Sequence, residues 1–286
     1  MSSDTAPETS APQPQQLPAP SQPHEPGFAT AWKLWHDEVE RRRADPYGFL
    51  SITGLYWLTA EPQSIPGVPG QWSLPDDGRA RVRLAEGEIL QTPDEITVDG
   101  LYVFPRLSGE ESVSMTFDDI DIEVAARGGQ VIVRPRDPEN PLLKRYEGTP
   151  AFEPDPAWRI PGRFLPFEQP RQIEHGTVAG YSQFDAAPGE VEFEVAGQTQ
   201  RVVVYGDSQQ GLMLVFRDGL AGVETAPANR RLDLEAPAAD GSVLLDFNRT
   251  VNFPCAYTDA ATCPLPPSQN VLAIGIRAGE KLPRRG

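Results

Sequence analysis

The apolar positions change period once along the chain. Phe28, Trp32, Trp35 and Val39 recur at spacings of four, three and four, placing them on one helical face. Glu38, Glu40, Arg41, Arg42 and Arg43 read mostly as the opposite, solvated face, and Asp45-Pro46 ends the helix. Ile52, Leu55, Tyr56, Trp57 and Leu58 extend the apolar patch. From residue 79 onward the pattern is strand, turn, strand. Glu95–Val98, Asp99-Gly100 and Leu101–Phe104 read as a two-residue hairpin, because Asp-Gly tolerates positive φ. Ser112–Phe117, Ile120–Val124 and Gln130–Arg134 form a first strand set. Val191–Val195, Arg201–Tyr205, Leu212–Phe216, Val243–Phe247 and Val271–Ile276 form a second. Between the sets, Pro135 to Pro170 has no periodicity, and its aromatics are expected to wrap over the core. The fold class expected is mainly β: an antiparallel β-barrel or sandwich with one N-terminal amphipathic helix and long proline-rich loops.

Composition divides the chain in two. Residues 1–27 hold seven prolines, no Lys or Arg and little apolar surface, so a disordered proline-rich tail is expected there. The remainder, 28–286, reads as a single β-rich domain. The tail lacks the basic and apolar regions of a signal peptide, so a cytoplasmic location with reduced thiols is expected. With Lys+Arg 25 against Asp+Glu 41, the formal charge is −16. Such a field repels phosphate backbones and anionic lipid, so neither nucleic acid nor membrane is an expected partner. The residues identify no protein partner and no cofactor.

Motifs for nucleotide cofactors, P-loops, serine hydrolases and zinc proteases are absent. The richest stretch is 246–270, DFNRTVNFPCAYTDAATCPLPPSQN, a proline-fixed loop dense in polar groups. From it come candidate ligand-binding residues Asp246, Asn248, Arg249, Asn252, Cys255, Cys263 and Asn270, joined by Trp57 and Arg217 from elsewhere. Asp246, Cys255 and His36 are the candidate catalytic groups: base, nucleophile and proton shuttle. Cys255 and Cys263, with seven residues between them, read as small buried thiols, a disulfide or a reactive pair. A structural zinc on them lacks histidines, since only His36 and His175 lie outside the tail, and no metal is expected. Arg217, Arg230, Arg231 and Arg249 lie in or beside the last strands and suit a carboxylate or phosphate. Asp218, Asp233 and Asp246 beside them offer internal ion pairs instead.

DFNR at 246–249, NFPCA at 252–256, ATCPLPP at 261–267, Asn270 and AGE at 278–280 resemble the C-terminal signature of the bacterial and archaeal domain of unknown function 1684. Upstream, WxxWH at 32–36, GFLSITGLYWL at 48–58, GTPAFEPD at 148–155 and FRD at 216–218 are similar to it as well, so the resemblance runs over about 28–282. It implies a shared fold and a shared special loop, but no activity. After FRD the chain departs from the family pattern: it keeps Gly222, Thr225 and an Arg, either Arg230 or Arg231, but lacks the Tyr.

Three functions compete. The leading expectation is a small-molecule-binding β-barrel, its Arg/Asn-lined pocket closed by the 246–270 loop and the helix. The alternative is a metal-independent hydrolase or isomerase using residues of that loop, with Asn248 or Asn252 as oxyanion donor. The third is a protein-interaction module acting through the tail.

Overall fold

The computed structural model describes residues 27–284, so the expected proline-rich tail lies outside the described residues apart from Gly27. The helix forms as the spacing predicts. It runs Phe28–Arg43 (α1), with Arg41, Arg42 and Arg43 in its last turn facing the negative end of the helix dipole. Its inner face differs from the expected one. Arg43 is buried and Glu40 half-buried, so the covered stripe starts with Phe28, Trp32 and Trp35 and ends with His36, Glu40 and Arg43. The i, i+4 steps from Trp32 place His36 and Glu40 on that stripe.

All strand pairings within the three sheets are antiparallel. A six-stranded sheet runs Tyr56–Trp57, Gln130–Arg136, Ile120–Arg127, Ser112–Phe117, Leu90–Gln91 and Thr97–Val98. A four-stranded sheet of Gln63–Ser64, Gln71–Ser73, Arg81–Arg83 and Leu101–Val103 shares its core, built on Trp72, Leu90, Phe104, Met115 and Ile122. The expected hairpin at Asp99-Gly100 does not form. Thr97–Val98 pairs with Leu90–Gln91, while Leu101–Val103 pairs with Arg81–Arg83, so this corner passes the chain between sheets. Only Gly100 there takes positive φ (65°), whereas the two-residue turn needs it at both positions.

The seven-stranded sheet has the order Ser242–Asp246, Arg159–Gly176, Ser182–Val195, Gln198–Asp207, Gly211–Phe216, Arg230–Leu234, Val251–Asn252. It curls around Trp158, Val191, Phe193, Leu214, Phe216 and Phe247, but no ladder joins its two edges. The fold is sandwich-like, and the closed barrel is not formed. The second half of the proline stretch is no wrapping loop: it opens an 18-residue strand, Arg159–Gly176. Pro166 and Pro170 are accommodated because the register shifts between Pro166 and Arg171, where a missing N–H breaks no ladder. Val271–Ile276 is not a strand either. It carries an isolated bridge from Val271 to Arg217, its Ile274 carbonyl accepts from the Gly219 N–H, and it buries Leu272 and Ile276.

Candidate functional site

The interior of the large sheet is filled by side chains, so the pocket expected among the strands is not found there. The open space is a cleft of about 1010 Å³ where the second half of α1 meets residues 142–150, Tyr257, Asp259 and the 283–284 segment. A one-turn helix, Pro141–Lys144 (α2), sets the outer wall. Asn140 starts it by accepting from the Leu142 N–H at 2.9 Å, and its Nδ2 donates to the Ile52 carbonyl at 2.8 Å.

The floor is a charged network. Arg43, with its side chain 5% exposed, donates from Nη1 to Glu40 Oε1 (2.6 Å), Thr149 Oγ1 (2.7 Å) and the Tyr146 hydroxyl (3.1 Å). Its Nη2 donates to Oε1 of Glu280 at 2.8 Å, and its guanidinium lies 5.1 Å from the Tyr257 ring centre. The Glu280 side chain is only 1% exposed. Its Oε2 accepts from the Asn252 N–H at 2.6 Å and from the Tyr257 hydroxyl at 3.4 Å. The Tyr146 hydroxyl donates to Glu40 Oε2, and Thr149 and Tyr257 share a hydroxyl contact of 2.7 Å. His36 stacks on Trp32 at 4.9 Å, with its Nε2 3.6 Å from Glu40 Oε1 and 3.9 Å from Glu280 Oε1.

Burial sets the electrostatics. It opposes the charge on Arg43, but Glu280 and the tyrosine oxygens outweigh it and hold the guanidinium charged. Burial pushes the Glu280 carboxyl up, against the pull of Arg43 and the Asn252 N–H. It pushes the His36 imidazole down, ahead of the opposing attraction of Glu40. The Tyr146 and Tyr257 hydroxyls are both raised by burial, so they act as neutral donors. Behind the floor, Arg230 donates to the carbonyls of Ile276 (3.0 Å), Ala278 (2.7 Å) and Glu280 (3.2 Å), and pairs with Asp218 at 2.6 Å. It thereby fixes the segment that carries Glu280.

Of the residues expected to form a site, His36 lines this cleft and Asn252 orients Glu280 from beneath; its Nδ2 is spent on the Lys281 carbonyl at 2.8 Å. Asp246 and Arg249 line a different groove of about 350 Å³ under the start of α1, with Phe28, Trp32 and Arg159. They lie 3.7 Å apart there, and Arg249 stands 5.7 Å from the Trp35 ring centre. Asn248 is a structural tie. It brackets the Asp155 backbone with bonds of 2.9 and 3.0 Å, and its carbonyl accepts from the Trp32 indole at 2.7 Å. Asn270 staples strands, accepting from the Val203 N–H and donating to the Val203 and Val215 carbonyls at 2.8–2.9 Å.

Arg217 is exposed and makes backbone bonds to 270 and 272. Trp57 packs edge-on against Tyr181 at 5.8 Å. Cys255 and Cys263 form no disulfide. The Cys255 N–H donates to the Cys263 sulfur at 3.4 Å, and a hydrogen bond from Cys255 holds the Cys263 thiol below its ordinary value. Arg230 and Arg231 are both taken up by ion pairs, with Asp218 at 2.6 Å and Asp233 at 2.7 Å.

Glu40, Arg43, Tyr146, Thr149 and Glu280 were not among the expected site residues, and Tyr257 entered only as part of the loop. A signal for the first of them exists: His36 and Glu40 stand at i, i+4 on the aromatic face of α1. Among the described residues, one group of His, Cys, Asp or Glu side chains is gathered closely enough to hold a metal ion. It is His36, Glu40 and Glu280, whose ligand atoms all lie within 4.8 Å of one another. No described helix is long and apolar enough to cross a membrane.

Fold and site together define an antiparallel, sandwich-like β protein with a composite polar cleft between its N-terminal helix and its C-terminal segment. Residues 144–281 match the family described as protein of unknown function DUF1684. The match covers the C-terminal part of the resemblance; the upstream motifs at 32–36 and 48–58 lie outside it. Among solved structures, the solution NMR structure of an uncharacterized protein of Haloarcula marismortui is 28% identical. It covers 48% of this chain and 78% of its own length, with a TM-score of 0.41. No curated protein is significantly similar to the chain.

Proposed function

We propose that the chain binds a small polar molecule in the cleft beside α1. One observation carries this reading: an open cleft of about 1010 Å³ is floored by a buried, fully oriented charge network. Burying charges costs several kcal/mol per ion, and a surface depression has no structural need of it. Ligand sites, by contrast, occupy about 300–1,000 Å³ and set a few polar groups in fixed geometry. Lys144, Arg145 and Arg284 on the cleft wall suit a carboxylate or phosphate on the ligand, and Glu40 and Tyr146 suit its hydroxyl or amine groups. The 246–270 loop takes part through Tyr257 and Asp259 rather than by covering a barrel mouth.

The test is native mass spectrometry of gently purified protein, followed by thermal-shift screening with small anionic metabolites. A compound bound by the wild type and weakened at least ~10-fold by Tyr146→Phe or Glu40→Gln supports the reading, since each change removes one polar contact. Binding that ignores both substitutions places the ligand elsewhere and refutes it. A hydrolase or isomerase acting in the same cleft is the second reading, favoured by His36 lying 3.6 Å from Glu40 beside the open space.

A further inference from the structure

We propose that His36, Glu40 and Glu280 form a mononuclear site for a divalent metal of the zinc class on the floor of the cleft. The inference rests on the cleft reading for its setting and adds an inorganic ligand to it.

Three lone-pair-bearing atoms converge without bonding to one another. Nε2 of His36 stands 3.6 Å from Glu40 Oε1 and 3.9 Å from Glu280 Oε1, beyond hydrogen-bond reach. That nitrogen is buried and has no hydrogen-bond partner among the described residues. An orphaned buried acceptor or donor is costly, and a cation at the centre of the three atoms would satisfy it together with both carboxylates. Each carboxylate is already turned for the purpose. Glu40 commits Oε2 to the Tyr146 hydroxyl and the Thr149 N–H, and Glu280 commits Oε2 to the Asn252 N–H and the Tyr257 hydroxyl. Both Oε1 atoms are therefore held towards His36, whose ring is fixed by a nearly parallel stack on Trp32, 9° between planes. Such outer partners orient the ligands of metal sites.

The same Oε1 atoms each accept one bond from Arg43, at 2.6 and 2.8 Å. A carboxylate oxygen has two lone pairs, so one on each remains, and the guanidinium offsets the repulsion between two carboxylates crowded around one point. Arg43 acts here as a positioning residue and weakens the affinity without blocking the site. With two carboxylates and one guanidinium, a bound divalent ion leaves the cluster with net positive charge, which suits an anionic ligand in the cleft above. One imidazole and two carboxylates match zinc-type coordination by three protein groups, with the remaining position open. Magnesium and calcium, which prefer six or more oxygen ligands, match it poorly.

The experiment uses tag-free full-length protein, stripped with chelator and dialysed against zinc chloride alone. Metal is counted by inductively coupled plasma mass spectrometry and the site read by X-ray absorption. The expected result is one saturable zinc per chain with a nitrogen/oxygen shell near ~2.0–2.1 Å and no sulfur shell near ~2.3 Å. His36→Ala and Glu40→Gln, shown to be folded by circular dichroism, each weaken zinc binding at least ~10-fold. The Cys255→Ser/Cys263→Ser double variant binds as the wild type does. Calcium and magnesium do not compete. Absence of saturable zinc overturns the proposal; so does zinc kept by His36→Ala, or a sulfur shell lost with the cysteines. If no zinc binds but a small molecule does, the metal site alone is refuted; if zinc binds and no small molecule does, the ligand reading alone fails.

Discussion

Replacing Arg43 with Met tests whether the buried charge network holds the two ends of the described chain together. In the wild type, Arg43 satisfies Glu280, Glu40, Thr149 and Tyr146 at once. Methionine fills similar space but leaves Glu280, 1% exposed, with the Asn252 N–H and a 3.4 Å hydroxyl contact in place of a counter-charge. Removing one partner of a buried pair costs about 3–5 kcal/mol, because the remaining charge has lost both water and counter-charge. Glu280→Gln alone is milder, since Arg43 keeps Glu40, which is partly open to solvent. In the double variant neither charge is stranded, so its cost falls short of the sum of the two by more than about 1.5 kcal/mol. Urea unfolding at pH 7, followed by both circular dichroism and tryptophan fluorescence, supplies the four stabilities; agreement of the two probes checks that one transition is being measured. A coupling below about 0.5 kcal/mol, the level of independent sites, would refute the reasoning.

Three other outcomes follow from the same geometry. Gly279 has φ +72° and a Cβ there would lie 2.5 Å from the Thr250 carbonyl, so Gly279→Ala should cost about 2 kcal/mol or more in urea unfolding; near-neutrality would contradict it. Burial pushes the Glu123 carboxyl up, but hydrogen bonds from Arg134 at 2.6 and 3.0 Å and the Arg136 charge outweigh it and hold it below its ordinary value. A depressed folded pKa means its stability is present above about pH 4.3 and lost as the pH falls through the folded value. Glu123→Gln should therefore flatten the fall of melting temperature below about pH 4.3, and an unchanged slope would exclude this carboxylate as its source. Cys255 and Cys263 form no disulfide, so denatured protein purified without reductant should titrate two thiols by Ellman's reagent, and none would reveal a bridge.

The strand pattern was legible wherever alternation was clean. Ser112–Phe117, Gln130–Arg136 and Gly211–Phe216 all form. Arg159–Gly176 was hidden because Pro166 and Pro170 interrupt it, and the register shift that accommodates them is a tertiary event. The hairpin at 99–100 misled for a related reason: local turn chemistry was present, but both flanking strands found partners elsewhere. Candidate chemistry was read from the 246–270 loop because polar groups and prolines are dense there. In the structure, Asn248 and Asn270 use their amides on backbone, as Asn in irregular loops commonly does. Glu40 and Arg43 were assigned to solvent because a charged residue on a helix ordinarily faces water. Nothing in α1 alone announces Glu280, which is held in place by contacts to Asn252, Thr250 and Arg230 far along the chain.

That dependence bears on the order of events in folding. Arg43 and Glu280 are 237 residues apart in sequence. Closing so long a loop in an open chain costs roughly 5 kcal/mol before any constant is added, about as much as the contact returns. The pair cannot nucleate anything. The contact is expected to lock late, once other contacts have shortened the effective loop between helix and segment. During synthesis, α1 emerges early, and Arg43 waits for Glu280 while more than two hundred residues are made. A chain interrupted before residue 280 would therefore carry Arg43 without this buried counter-charge.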